Sequence, residues 1–182
     1  MNAAFADSAS AATITTPDGI AIRLDWLIRG LAKLSDTGEQ LPADATNQAV
    51  VYNVASGLME AVNAPGFDER MDHDEVSAKV ATLVHAGFSD WQLPDVAEAV
   101  HAVDYGRYDP AADVSIYPDA VGASYWTRQQ TAWSLDEKGS SRSFFYVYLS
   151  YGDVYGSCAD GRLRARPVRR AAPASQCLVI GQ

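Results

Sequence analysis

The chain has 182 residues and a mass of 19.6 kDa, which is the size of one ordinary domain. Its hydrophobic and charged fractions, 48% and 20%, are typical of a globular protein and disfavour disorder, collagen and coiled coil. The formal net charge of −9 makes nucleic acid and anionic membrane surfaces poor partners. No apolar run reaches the roughly 18 residues of a membrane span, so we expect no membrane insertion.

The N-terminal part predicts a hairpin followed by a helix. Residues 12–22 (ATITTPDGIAI) place two β-branched runs around a Pro-Asp-Gly turn. Leucine and isoleucine then recur at helical spacing from Leu24 to Leu34, which predicts an amphipathic helix of about three turns. Residues 36–50 are typical of a linker or long loop. We therefore expect an N-terminal extension over residues 1–46, a possible anchor or oligomerisation segment, and a domain over residues 47–182.

The middle of the chain predicts one strand and two more helices. The run VVYNV favours a strand. Helical periodicity returns from Asp72, where Asp72 or Asp74 can cap the helix and Gly87 can end it. A third short helix follows Pro94, with Val96, Val100 and Val103 on one face.

Beyond Tyr105, aromatic residues, Gly and Ser replace the helical pattern. In residues 144–149 the side chains alternate between two faces. One face is predicted to carry Phe145, Val147 and Leu149, and the other Phe144, Tyr146 and Tyr148. Residues 151–153 predict a hairpin turn. Helices followed by antiparallel strands indicate an α+β fold. This aromatic density fits either a binding surface or an ordinary hairpin with aromatic cross-strand pairs.

Motifs for enzymatic chemistry and metal binding are lacking in the sequence. It has no G-x-S-x-G elbow, Walker A loop or H-E-x-x-H helix, and its two cysteines and three histidines lack zinc-ligand spacing. The acidic cluster over residues 68–75 fits a solvated helix start better than a calcium site. We expect no catalytic residue, no metal and no cofactor. Because the start does not read as a signal peptide, we expect a reducing compartment and no Cys158–Cys177 disulfide.

Residues 162–170 (RLRARPVRR) hold five of the 14 basic residues and no acid. Such a run indicates either arginines paired with the chain's own carboxylates or a site for a polyanion.

Several motifs, in order, resemble the family of the C-terminal domain of the Legionella collagen-like adhesin, which has bacterial and phage members. Residues 87–94 (GFSDWQLP) are similar to its G-[FY]-x-D-W-R-L-P signature, and residues 103–110 (VDYGRYDP) to its V-D-Y-S-R-Y-N-P segment. The other matches are residues 55–59 (ASGLM), 125–127 (YWT), 145–147 (FYV) with Gly152, and 165–169 (ARPVR). The resemblance spans roughly residues 50–170.

This resemblance implies a C-type-lectin-like fold, in which two helices pack on a twisted antiparallel sheet below a loop-rich binding face. It implies that Trp91 lies in the core and that Arg166 and Arg169 are tied to carboxylates, which leaves Arg162, Arg164 and Arg170 as candidates for a polyanion. The chain departs from the family at Gln92, at Glu60 where the family prefers Trp, and in a longer insertion over residues 131–142. The insertion affects the shape of the binding face.

The resemblance further implies a non-enzymatic recognition or adhesion module. The lack of a signal peptide favours a phage tail or particle-surface protein, located in the virion or alternatively on a bacterial surface. Its expected partners are a host-surface glycan or protein, other virion proteins and further copies of itself. The alternative is a structural virion protein that uses the same aromatic face for subunit contacts. The predicted ligand-binding residues are Tyr146, Tyr148, Asp153, Tyr155, Trp133 and Arg128.

Overall fold

The structure is a computed structural model that describes residues 12–134 and 142–171. Its strands are Thr13–Thr15 (β1), Ala21–Arg23 (β2), Leu31–Leu34 (β3), Gln40–Leu41 (β4), Val50–Asn53 (β5), Leu58–Ala61 (β6), Ser124–Gln130 (β7), Ser143–Tyr148 (β8), Asp153–Cys158 (β9) and Val168–Arg170 (β10). The helices are His73–Val80 (α1) and Val96–Ala99 (α2), with 3-10 turns at Leu24–Trp26, Val100–Ala102 and Ala132–Ser134. The predicted α+β class is confirmed.

The described strands form three antiparallel sheets. A small hairpin joins β1 to β2, as predicted from the Pro-Asp-Gly turn. The central sheet has the order β10-β6-β5-β3-β4, and the third sheet has the order β7-β8-β9. The predicted VVYNV strand is β5, whose Val50, Val51 and Tyr52 are all buried because the central sheet is covered on both faces.

The predicted helix over residues 24–34 is wrong. Residues Leu24–Trp26 form one 3-10 turn, and the chain then reverses at Arg29 and Gly30, which both have positive φ. A helix cannot run through two such residues. The leucine spacing instead belongs to a turn followed by β3, which pairs with β5 and buries Leu34 completely.

The expected linker over residues 36–50 also contains sheet structure. It holds β4, which pairs with β3, and the first residue of β5. The pairing of β3 with β5 crosses the expected boundary at residue 46. The division of the chain into an extension and a domain stays a prediction.

Both later helices form where predicted and start with capping boxes. Asp72 caps α1 and accepts a hydrogen bond from the backbone N–H of Glu75, while Asp95 caps α2 in the same way. Helix α1 ends at Val80, so Gly87 does not end it but lies in the tight turn at residues 85–88 with φ of +79°. Pro94 precedes the cap of α2 and does not lie in its first turn.

The sheet β7-β8-β9 separates two apolar cores. The face that carries Phe144, Tyr146 and Tyr148 was expected to be exposed, and this expectation is wrong for Phe144. Val147 and Leu149 point into buried positions as predicted. Phe144, expected on the outward face, is also buried, because the ring of His73 in α1 stacks on it at 3.4 Å. Trp126 of β7 fills the same core and is fully buried. The outward face is therefore open only towards the hairpin turn.

Candidate ligand-binding surface

Six tyrosine rings gather at the turn end of the β8–β9 hairpin. We call them the tyrosine patch; its members are Tyr105, Tyr108, Tyr146, Tyr148, Tyr151 and Tyr155. Tyr105 and Tyr108 are the most exposed, at 75% and 71%. Ring centroids lie 5.4 Å apart for Tyr108 and Tyr151, and 5.4 Å apart for Tyr148 and Tyr151. Tyr108, Tyr151 and Tyr148 thus form one chain of contacting rings, and the hydroxyl of Tyr105 lies 3.4 Å from the carbonyl oxygen of Gly152 in the same turn.

The hairpin register places four of the predicted residues on one face. Tyr146 lies opposite Tyr155 and Tyr148 lies opposite Asp153, and alternate positions of a strand share a face. The centroids of Tyr146 and Tyr155 are 5.9 Å apart. The structure thus brings Tyr146, Tyr148, Asp153 and Tyr155 together, whereas the sequence alternation predicted a shared face for Tyr146 and Tyr148 only. Tyr146 is the most inward of them because its ring meets the edge of Trp126 at 6.4 Å.

The segment over residues 103–111 carries the other exposed rings to the hairpin. Its backbone joins the hairpin turn through two hydrogen bonds, from Asp109 N to Ser150 O at 3.0 Å and from Ala111 N to Leu149 O at 2.6 Å. Tyr105 packs on Gly152, where a β-carbon would lie only 2.5 Å from Val103. Gly152 also has a φ of +85°, so both the turn and the close approach require glycine.

Asp104 fixes the bend that projects Tyr105 and Tyr108. Its carboxylate accepts hydrogen bonds from Gly106 N at 2.9 Å, Arg107 Nε at 3.2 Å and Arg29 Nη1 at 3.3 Å. The hydrogen bond from Gly106, followed by those from the two guanidinium groups, holds the pKa of Asp104 below its ordinary value. The bend is therefore held by a carboxylate that stays ionised at neutral pH.

Two phenols of the patch, those of Tyr151 and Tyr155, have raised pKa values and remain protonated at neutral pH. Tyr155 donates from its hydroxyl to Asp153 Oδ2 at 3.1 Å, and this hydrogen bond raises the pKa of Tyr155. A hydrogen bond with Tyr108 likewise raises the pKa of Tyr151. The surface offers aromatic faces, hydroxyl groups and one exposed carboxylate, but no basic side chain from the hairpin itself.

Two predicted residues lie away from the patch. Trp133 is 63% exposed but packs on Phe145 at 5.6 Å, and Phe145 points to the opposite face of the hairpin from Tyr146. Arg128 is engaged elsewhere, donating to Leu93 O and to Glu98 Oε2, both at 2.6 Å. Their role in ligand binding stays a prediction. Trp133 lies on the opposite face of the hairpin from the tyrosines, and the guanidinium group of Arg128 is bound to Leu93 and Glu98.

The sequence interpretation missed Tyr105, Tyr108 and Tyr151 as members of the surface. Tyr105 and Tyr108 stand in the VDYGRYDP segment, whose exposure and contact with the hairpin depend on tertiary structure. The signal that could have found them is the density of Gly and Asp around two tyrosines, which is typical of an exposed turn.

A family model for the Lcl C-terminal domain matches residues 43–169. The chain belongs to the Lcl C-terminal domain family. Membership confirms the resemblance drawn from the motifs and indicates an adhesin-like module. Comparisons with curated proteins and with solved structures find no match. The tyrosine patch of this Lcl C-terminal domain lies within the matched residues.

The Lcl C-terminal domain uses most of its basic run structurally. Trp91 is buried, as the resemblance implied. Arg169 donates to Asp90 at 2.6 Å and to Asp18 at 2.8 Å, and Arg166 donates to Asp119 at 2.8 Å, so both arginines are tied to carboxylates.

The three arginines left as polyanion candidates differ in their contacts. Arg162 pairs with Glu75 at 3.2 Å and Arg170 pairs with Glu98 at 2.9 Å. Arg164 is half-buried, and its side chain makes no ion pair with any described residue. A polyanion patch built from the whole run is therefore not supported.

A buried ionic cluster underlies the central sheet of the Lcl C-terminal domain. Glu60 of β6 is only 3% exposed and accepts a hydrogen bond from the hydroxyl of Tyr117 at 2.8 Å. Burial raises the pKa of Glu60 to about 7, although the nearby charge of Arg166 and the hydrogen bond from Tyr117 act in the opposite direction. Arg166 lies 4.7 Å from the ring centroid of Tyr117. The cluster is enclosed and does not reach the tyrosine patch.

The described residues contain no group of three His, Cys, Asp or Glu side chains arranged to hold a metal ion. Within the same residues, no helix has both the length and the apolar character to cross a bilayer. Cys177 lies outside the described residues, so the expectation of no disulfide to Cys158 stays a prediction.

Proposed function

We propose that this Lcl C-terminal domain is a non-enzymatic recognition module that binds a host-surface glycan or protein through the tyrosine patch. The supporting observation is that Tyr146, Tyr148, Tyr155 and Asp153 share one face of the hairpin, and that ring contacts join Tyr148 through Tyr151 to Tyr108. Tyrosine gives large contact area at low entropic cost and carries a hydroxyl for hydrogen bonding. A ligand with both apolar faces and hydroxyl groups matches this chemistry.

We further propose that the module works on a phage virion, at the tail or particle surface, or alternatively on a bacterial surface. The phage and bacterial membership of the family that the motifs resemble supports this setting. The finer fold assignment, a C-type-lectin-like domain, is part of the same proposal. Its support is the antiparallel sheet with few helices and the loop segment at residues 103–111 that builds the binding face.

The test is alanine substitution of the two exposed rings that contact each other. We expect Tyr108→Ala and Tyr151→Ala each to weaken binding at least about tenfold, because exposed aromatic anchors dominate such interfaces. Binding of labelled protein to whole bacterial cells and to immobilised oligosaccharides measures this effect. Both rings are surface residues, so the melting temperature should stay close to that of the wild type.

Val84→Ala is the matched control, because Val84 is 70% exposed and lies after α1, outside the patch. It should bind like the wild type. If Trp133→Ala abolishes binding while both tyrosine variants bind normally, the ligand contacts the opposite face of the hairpin and the proposed surface is wrong.

A structural virion protein is the second candidate function. The observation that favours it is that Tyr105, Tyr108, Tyr151 and Tyr155 are between 48% and 75% exposed, which leaves the aromatic face accessible to a second subunit. A stable oligomer whose assembly buries the tyrosine patch, with no binding to cells or oligosaccharides, would favour this function over recognition.

A further inference from the structure

Strand β9 is an edge strand that the described part of the chain leaves uncovered. In the sheet β7-β8-β9 it pairs with β8 alone. The opposite edge is covered, because β7 exchanges backbone hydrogen bonds with Arg164 and the backbone N–H of Arg128 donates another to the carbonyl of Pro94. In the central sheet, Gln92 exchanges two backbone hydrogen bonds with Val168 and so covers β10. The other edge strands in the described residues, β1, β2 and β4, have only three, three and two residues, whereas β9 has six.

The backbone of Val154 and Gly156 points away from the sheet. On β8, the carbonyl of Phe145 accepts from the side-chain hydroxyl of Thr127 and that of Ser143 accepts from the backbone N–H of Thr131, so both carbonyls point towards the β7 side. In an antiparallel ladder the direction alternates, and paired residues face each other or face away together. Phe145 pairs with Gly156 and Val147 with Val154, so these two residues of β9 face the open edge.

The usual protections of an edge strand are missing in β9. Natural sheets protect open edges with lysine, proline, bulges or very short strands. Strand β9 has six residues and contains neither lysine nor proline, and its register with β8 is regular throughout. Asp153 is the one charged residue between Arg142 and Asp160. In a chain of net charge −9, this is a stretch on which a second copy meets little repulsion.

We propose that two copies of this chain associate by antiparallel pairing of their β9 edges. The pairing centres on Tyr155, which lies opposite Tyr155 of the second copy. Val154 of each copy then exchanges hydrogen bonds with Gly156 of the other. The carbonyl of Cys158 already accepts from Gly161 N at 2.9 Å, so the free stretch of the edge ends at Gly156. The contact is two-fold symmetric and self-complementary.

Charge also fits this register. Asp153 faces Ser157 of the second copy, so no like charges lie directly opposite each other. The two Tyr155 rings meet in a pair without direct backbone hydrogen bonds, where side chains approach most closely. The three-stranded sheets become one six-stranded sheet, and the two tyrosine patches become continuous. The pairing itself requires no ligand, so it stands or falls independently of the recognition function.

The first test measures molar mass by light scattering of the full chain. We expect the wild type to reach twice the 19.6 kDa of one chain at high concentration. Tyr155→Lys should return it to the mass of one chain, because two lysines would face each other at the two-fold axis. Tyr151→Lys is the matched control, since Tyr151 is 50% exposed and Tyr155 is 48% exposed, but Tyr151 lies in the turn and off the edge. It should keep the dimer.

A second measurement uses the unmodified protein, so the test does not depend on the folding of a variant. Hydrogen exchange at the amides of Val154 and Gly156 should slow as protein concentration rises, while that of Tyr155, which already bonds to β8, should not change. A wild type that stays at the mass of one chain overturns the proposal. An oligomer in which the exchange of Val154 and Gly156 is independent of concentration also overturns it.

Discussion

Glu60 shows how a single side chain can make stability depend on pH. It lies in β6 opposite Val51 and Val168, where the resembled family prefers Trp. A buried carboxyl favours its neutral form, because ionisation in a low-dielectric interior is costly. Its pKa is raised to about 7, and the ordinary value is 4.5. The contribution of the neutral form is fully present below pH 4.5 and is lost as pH rises through 7.

We therefore predict that Glu60→Gln changes the pH dependence of stability. Relative to Glu60→Gln, the wild type should lose up to about 3 kcal/mol of unfolding free energy between pH 5 and pH 8. Glutamine keeps an oxygen that can accept the hydrogen bond from Tyr117 but cannot ionise. Urea unfolding at several pH values measures the difference. Glu39→Gln, at an exposed carboxyl, should leave the slope unchanged, and parallel curves for Glu60→Gln and wild type would contradict the prediction.

At the scale of elements, the segment over residues 24–34 shows where periodicity is ambiguous. Its apolar residues repeat at helical spacing, but two consecutive residues with positive φ divide it. Gly30 carries no penalty in this conformation, whereas a β-carbon does. A β-carbon at Gly30 would meet no atom within 4 Å, so only the backbone conformation decides the cost of substitution.

Gly30→Ala distinguishes the observed turn from a helix by the sign of its effect. In a helix, alanine would stabilise by roughly 1 kcal/mol relative to glycine. In the observed turn, we expect alanine to destabilise by about 1–2 kcal/mol. Chemical denaturation of both proteins measures this change. Gly30→Asn should lose less unfolding free energy than Gly30→Ala, because asparagine adopts positive φ more readily than alanine. A Gly30→Ala protein that is more stable than the wild type would contradict the turn.

At the scale of the molecule, β3 joins the segment before the family match to the core within it. Leu34 is fully buried in the same apolar core as Met59 and Trp126, although the match begins at residue 43. Arg169 adds a second link, from β10 to Asp18 in the first hairpin. We expect these contacts to make the described residues unfold together.

Leu34→Ala tests this coupling. We predict a loss of about 2–5 kcal/mol, as for other fully buried leucines, in one transition that includes the family-matched region. The indole signal of Trp126 in NMR spectra reports on that region. Leu24→Ala is the control, because Leu24 is 42% exposed and should cost less than about 0.5 kcal/mol. If the Trp126 signal unfolds at an unchanged denaturant concentration, the segment before residue 43 is an independent unit.

Patterns among residues close in sequence predicted many of the turns, helix caps and strands. The features that they did not predict depend on pairing between distant parts of the chain. The hairpin at Asp18 and the cap at Asp72 follow from residues a few positions apart. The family motifs anticipated Trp91 in the core and the ion pairs of Arg166 and Arg169. Strand β3 and the burial of Phe144 depend on partners far along the chain, so local periodicity does not indicate either of them. The sequence predicted part of the tyrosine patch, because the alternation along β8 is a local pattern. The contact of residues 103–111 with the hairpin is a tertiary contact that no local pattern predicts.

The pairing of β10 with β6 has a consequence for how fast the molecule folds. Arg169 contacts Met59 across 110 residues of chain, and the central sheet is not complete until that contact forms. Topologies dominated by such distant contacts fold in milliseconds to seconds, because loop-closure entropy is lost before the contacts form. Until β10 docks, the edge of β6 stays unpaired, and this is the interval in which the newly made chain is most exposed to aggregation.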